Sequence, residues 1–152
     1  MKFIADLQIH SRYSRAVSQN MKLEELDRWA DDKGILVLGT GDFTHPDWFS
    51  EIKEKLVPSD PGLFCLKPGL KLKTIKGTLS KTRFMLTAET SHIYKRGGKV
   101  RRVHLLIWAP DLAAAEKLNT QLNWVGNLRS DGRPILGLDS EELLKTAMNI
   151  NN

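Results

Sequence analysis

Four side chains that commonly hold metal ions or move protons, His10, Asp42, Glu89 and His104, recur at one kind of place in this chain. Each falls at the end of, or inside, a stretch that reads as a β-strand, and His45 follows close behind Asp42. Imidazole and carboxylate together suit Zn, Mn or Fe without any thiolate. A divalent ion so held lowers the pKa of its bound water to about 7 and screens the charge of a phosphate. Taken singly, each residue has a plainer role. His104 lies in an apolar run and suits a hydrogen-bonded core histidine. Asp42 and Glu89 suit turns, and His45 before Pro46 suits an exposed loop. Repetition at separate strand ends is what favours a common site.

The elements that must position these residues follow from periodicity. Alternation of apolar and polar residues from Ile4 to Ile9 predicts a strand, with His10–Arg15 a loop at its end. Leu23, Leu26, Trp29 and Ala30 recur at helical spacing, with Asn20 as N-cap and Gly34 as stop. Ile35–Leu38 reads as a doubly buried strand, followed by the loop Gly39–Pro46 and a helix from Pro46 through Trp48, Phe49 and Ile52. Prolines and glycines make 57–70 a loop, and Phe84–Ala88 predicts a third strand ending at Glu89. His92–Tyr94 and Val100–Trp108 flank Arg96-Gly97-Gly98-Lys99, a hairpin turn. Asp111 caps a helix to about Trp124, Ile135–Leu138 suits a strand, and Ser140 opens a last helix through Met148. This alternation predicts an α/β class with mainly parallel strands plus a basic hairpin. In α/β barrels the C-terminal strand ends converge on one face, where active sites form.

The chain has 152 residues and a formal charge of +5, very unevenly spread. The segment Lys67–Arg102 carries eleven Lys and Arg against the single acid Glu89, formally +10, which leaves −5 for the rest. Such segregation suits a polyanion, nucleic acid above all, or else a solvated basic face. Cys65 is alone, which excludes an internal disulfide and a thiolate zinc cluster. Nothing resembles a signal peptide or a membrane-spanning run, so the expectation is a cytoplasmic protein with no membrane partner. No Gly-x-x-x-x-Gly-Lys-Ser/Thr loop occurs, so helicase-type nucleotide binding by that motif is rejected.

Longer strings are more specific. Asp6-Leu7-Gln8-Ile9-His10-Ser11 resembles the opening motif of PHP phosphoesterases, and Val37–Asp42, Leu86–Ser91 and Val103–Leu106 resemble the motifs that follow. Within that family the chain is similar to the endonuclease Q group through Arg12–Ser18, Gly39–Pro46, Ile93–His104 and Asn127–Leu138. The resemblance implies a distorted β/α (TIM-like) barrel, a cluster of divalent ions (Zn, Mn, Mg or Fe) and hydrolysis of a DNA phosphodiester beside a deaminated base. It implies His10, Asp42, Glu89 and His104 as metal ligands, with catalysis resting on Asp42 and Glu89. His45 is a further possible ligand. Arg12, Arg15, Lys95, Arg96, Lys99, Arg101 and Arg102 become the candidates for DNA phosphates.

Two departures qualify that expectation. Gln8 stands where the family has the first histidine of its pair, and an amide oxygen is a weaker ligand than imidazole. The later ligands of the family have no counterpart after His104, and 147–152 lose the resemblance. The expectation is therefore that residues 1–152 form the N-terminal portion of a PHP domain, an incomplete barrel with impaired activity. Its partner would be the missing barrel portion or a second copy of the chain. The alternatives are a PHP phosphatase acting on small phosphomonoesters and a non-catalytic DNA-binding fragment.

Overall fold

Residues 2–150 are described by a computed structural model. In chain order they form β1 (Ile4–Asp6), α1 (Leu23–Asp32), β2 (Ile35–Gly39), α2 (Pro46–Lys55), β3 (Leu56–Pro58) and β4 (Phe64–Leu66). Then come β5 (Arg83–Arg96), β6 (Lys99–Ala109), α3 (Leu112–Leu122), β7 (Ile135–Leu136) and α4 (Ser140–Asn149). The α/β class stands, and the sheet is mixed where mainly parallel strands were expected. β1–β2, β2–β5 and β5–β7 pair in parallel, while β3–β4, β4–β5 and β5–β6 are antiparallel. The sheet is open, running β1-β2-β5-β4-β3 with β6 and β7 also on β5.

The antiparallel content has two sources that local reading missed. β3 and β4 form inside the expected loop because Leu56, Phe64 and Leu66 all bury into the core. Pro58 is tolerated there at the strand's end. The third expected strand and the first hairpin arm are one 14-residue element, β5. No glycine or proline interrupts Arg83–Arg96, and Phe84, Thr87, Thr90, Ile93 and Tyr94 favour extended chain. Glu89 is consequently mid-strand, not at a strand end. Conversely, β1 stops at Asp6, short of the expected Ile9, because only Ile4–Asp6 find partners on β2.

α1 buries Leu23, Leu26, Asp27 and Ala30, whereas Trp29 lies on its flank with the Arg28 guanidinium 4.7 Å from the ring centroid. Lys22, not Asn20, occupies the N-cap, without a side-chain hydrogen bond. Asp111 caps α3 as expected, accepting from Ala114 N at 2.7 Å. α3 ends at Leu122, leaving Trp124 outside it. α4 is capped by Asp139 in a reciprocal box with Glu142, so Ser140 is already helical. The helices and the sheet close over one core that includes Leu23, Phe43, Trp48, Ile52, Phe84, Leu118 and Leu136. Trp48 is fully buried and its indole N–H donates to Gly41 O at 2.8 Å, tying α2 to the loop that carries Asp42. No helix among the described residues is long and apolar enough to cross a membrane.

Candidate functional site

β5 and β6 place Glu89 and His104. Side chains alternate across a strand, so Thr87, Glu89 and Ser91 share one face of β5 while Ala88, Thr90 and His92 turn to the other. The register sets Ser91 opposite His104, which brings His104 diagonally beside Glu89. His104 Nδ1 lies 2.7 Å from Glu89 Oε1. His92, on the other face, is a core residue: its ring nitrogens lie 2.8 Å from Thr90 Oγ1 and 2.9 Å from Leu138 O.

The loop after β2 brings in Asp42. It is zipped to β5 through Thr87, whose hydroxyl accepts from Gly41 N at 2.9 Å and whose carbonyl accepts from Phe43 N at 3.3 Å. Asp42 itself has a left-handed backbone, φ 50°, which aspartate tolerates better than most residues. Its buried carboxylate is fully engaged. Oδ2 accepts from Ser11 N (2.6 Å), Ser11 Oγ (2.7 Å) and Ser14 Oγ (2.9 Å), and Oδ1 meets His10 Nδ1 at 2.9 Å.

His10 joins the two halves. Its Nδ1 faces Asp42, and its Nε2 lies 3.3 Å from Glu89 Oε2. The hydrogen bond to Asp42 raises the His10 pKa above the ordinary value, with the Asp42 and Glu89 charges adding to it and burial opposing it. The four residues thus form one chain of contacts, His104–Glu89–His10–Asp42. Gln8 also enters it, donating its amide to Glu89 Oε2 at 3.1 Å. The tip of the cluster opens into a cavity of about 430 Å3 lined by His10, Ser14, Arg15, Ser130, Asp131 and Arg133 among others.

Other expected residues sit elsewhere. His45 is buried, stacked on Tyr13 at 4.5 Å, with Nε2 3.2 Å from Arg129 O; burial lowers its pKa. It does not join the cluster. Arg12 is tied to Glu51 and lies over the Tyr13 ring, so it braces α2. Arg15 is largely exposed and reaches the cavity. Lys95, Arg96, Lys99, Arg101 and Arg102 lie exposed along the β5–β6 hairpin, whose tip Gly97-Gly98 has positive φ at both residues, as a tight two-residue turn requires. Arg96 partly turns back toward Asp139 and Glu141, at 3.6 and 3.7 Å.

Residue-by-residue reading missed Ser11, Ser14, Gly132 and Arg133. β7 pairs with β5 at Ser91 and His92, and Ser91 N donates to Pro134 O, which lays 131–133 against the cluster. A Cβ on Gly132 would come within 2.3 Å of both Asp42 Oδ2 and Ser14 Oγ, so only glycine fits there. The string Ser130-Asp131-Gly132-Arg133-Pro134 was the available signal, present in the sequence as resemblance without a role.

In kind, these donors suit a divalent ion. In disposition they are spent on one another: Asp42 has four donors, and Glu89 is met by Gln8, His10, His104 and Arg133. Among the described residues, no three His, Cys, Asp or Glu side chains surround a shared ion position. The cluster as it stands is a network of ion pairs and hydrogen bonds, and taking up a cation would require it to open.

Comparison with known proteins follows the same lines. No family model matches the chain. An uncharacterized protein of Methanocaldococcus jannaschii is 28% identical over 146 residues, which is 95% of this chain and 15% of that protein. The crystal structure of the lesion-specific endonuclease PfuEndoQ from Pyrococcus furiosus superposes with a TM-score of 0.76 and 30% identity, covering 97% of this chain and 32% of that one. A crystal structure of endonuclease Q with a 27-mer duplex substrate, an abasic lesion at the active site, gives a TM-score of 0.77 and 31% identity, with the same coverage. The chain therefore spans about a third of the length of these solved relatives. The likeness carried in sequence by Arg12–Ser18, Gly39–Pro46, Ile93–His104 and Asn127–Leu138 extends to three dimensions: over nearly all of its own length this chain is a structural neighbour of endonuclease Q.

Proposed function

We propose that this chain engages duplex DNA and serves a phosphodiester-hydrolysing endonuclease function of the endonuclease Q kind, on a PHP-type phosphoesterase site. The observation that supports it best is the continuity of one hairpin. Its root carries Glu89 and His104 in contact at 2.7 Å, and its arms carry Lys95 and Arg102 exposed on the same face, with Lys99 and Arg101 exposed on the other. Backbone phosphates bound along the arms would direct the strand toward the cavity where His10 waits. Phosphate contacts of this kind set register and orientation. His10, kept protonated more readily by Asp42, would have to turn its Nε2 from Glu89 to offer a proton to a phosphoryl oxygen. Glu89 positions both imidazoles.

Divalent ions belong to the proposal through His10, Glu89 and His104, which would first have to release their mutual pairs. Gln8 weakens that capacity because its amide donates to Glu89 where an imidazole could ligate. Activity is accordingly expected to be low. The experiment is cleavage of 27-mer duplexes bearing an abasic site, deoxyinosine, deoxyuridine or no lesion, with EDTA or with Mn, Mg or Zn. Expected are salt-sensitive DNA binding and slow nicking that needs a divalent ion and is lost in Glu89→Gln. Absence of DNA binding at low salt, or nicking indifferent to Glu89→Gln, refutes the proposal.

One observation favours a second reading, a non-catalytic DNA-binding role: three donors from Ser11 and Ser14 crowd Asp42 Oδ2 and His10 occupies one side of Oδ1, so a ligand would have to compete with four existing contacts. Metal-independent binding with no nicking of any duplex would select it.

A further inference from the structure

Four donors crowd the two oxygens of Glu89 at unequal distances. Gln8 Nε2 stands at 3.1 Å, His10 Nε2 at 3.3 Å, His104 Nδ1 at 2.7 Å and Arg133 Nη1 at 3.5 Å. The Arg133 contact is the longest, and among the described residues it is the guanidinium's sole polar partner. Arg133 lines the cavity of about 430 Å3 together with Arg15, while the Ser14 and Ser130 hydroxyls on the same wall donate to Asp42 Oδ2 and Asn127 O. Arg15 is held just as loosely, its Nε 3.3 Å from Asp131 Oδ2. Asp131 is itself fixed by Arg133 N, which donates to Oδ1 at 3.0 Å. Two guanidinium groups are thus set at one cavity wall without being consumed by hydrogen bonds.

A guanidinium matches phosphate oxygens in two-pronged geometry, and such charge-assisted pairs are roughly twice as strong as neutral ones. Departure of Arg133 would leave Glu89 three donors, so the carboxylate is not stranded. We propose that Arg133 is a phosphate-capturing residue: it leaves Glu89 and, with Arg15, clamps the non-bridging oxygens of one DNA phosphate in the cavity beside His10. This rests on the reading that the chain meets DNA, and it deepens it by separating one inner phosphate from those along the hairpin.

The test uses the whole 152-residue chain in EDTA. Anisotropy of a labelled abasic duplex is measured across salt concentrations, and thermal unfolding is followed with inorganic phosphate or chloride at equal ionic strength. Arg133→Gln is expected to weaken DNA binding roughly tenfold and to lower the log–log salt slope by about 0.9. It also loses the stabilisation by phosphate. Lys99→Gln, on the hairpin, is expected to lower the slope while keeping the phosphate response. Arg133→Lys, which keeps the charge but not the fork, should keep the slope and bind less tightly. This variant also decides the matter should the glutamine variant fail to fold. If the wild type ignores DNA but responds to phosphate through Arg133, the clamp stands and the DNA reading fails. If Arg133→Gln matches the wild type in slope and phosphate response, or Arg133→Lys loses the slope, or the wild type shows neither, the clamp is refuted.

Discussion

Replacing Gly132 by alanine tests the site's architecture at a single atom. The added Cβ would lie 2.3 Å from Asp42 Oδ2 and Ser14 Oγ and 2.5 Å from Asp42 Cγ. Comfortable non-bonded separations are ~3.5 Å, so the carboxylate and the hydroxyl must retreat by about 1 Å. Gly132 is not in the left-handed region, so the substitution acts through this clash alone. The retreat stretches the 2.9 Å Ser14 bond and the 2.6 Å Ser11 backbone bond to a fully buried charge. Losing one such bond costs about 1.5–3 kcal/mol, and overpacking adds about 1–3 kcal/mol. The expected destabilisation is about 3 kcal/mol, a drop in Tm of about 6–12 °C for a chain of this size. Urea unfolding followed by tryptophan fluorescence measures it. Gly137→Ala is the control, because a Cβ there meets nothing within 4 Å, and it should be neutral or slightly stabilising. Equal stabilities for the two variants, within about 0.5 kcal/mol, would mean that the 131–133 segment does not lie on Asp42.

Three further outcomes are expected. Burial lowers the pKa of His45 and His92, so below about pH 6.5 the unfolded chain takes up protons that the folded chain resists, and stability falls with pH. His10, raised by Asp42, acts in the opposite sense, so His92→Gln should flatten the decline in urea midpoint and His10→Gln should steepen it. Gln8→His should tighten Zn or Mn binding roughly tenfold by calorimetry; unchanged affinity would argue against the cluster as a cation site. Lys99→Gln with Arg101→Gln should lower the salt slope of DNA binding by about 1.8, and an unchanged slope would remove the hairpin from the DNA interface.

Much was already decided along the chain. Local periodicity specified the helices from Leu23, Pro46 and Leu112 and the buried strand at Ile35, because amphipathic spacing and caps act over a few residues. The Gly97-Gly98 turn and the gathering of eleven basic residues between Lys67 and Arg102 are equally local facts. So was the identity of His10, Asp42, Glu89 and His104 as residues worth bringing together. Tertiary structure alone decided how they meet. β5 runs unbroken through Glu89 because β6 and β7 pair on either side of it, and the short β3–β4 pair exists because Leu56, Phe64 and Leu66 have a core to enter. The same packing hides Arg12 against Glu51 and His45 against Tyr13, while a glycine 90 residues from Asp42 sets the space around its carboxylate. Partners so distant in sequence leave no periodic trace, since burial and hydrogen bonding to far segments depend on the assembled chain and not on neighbouring residue types.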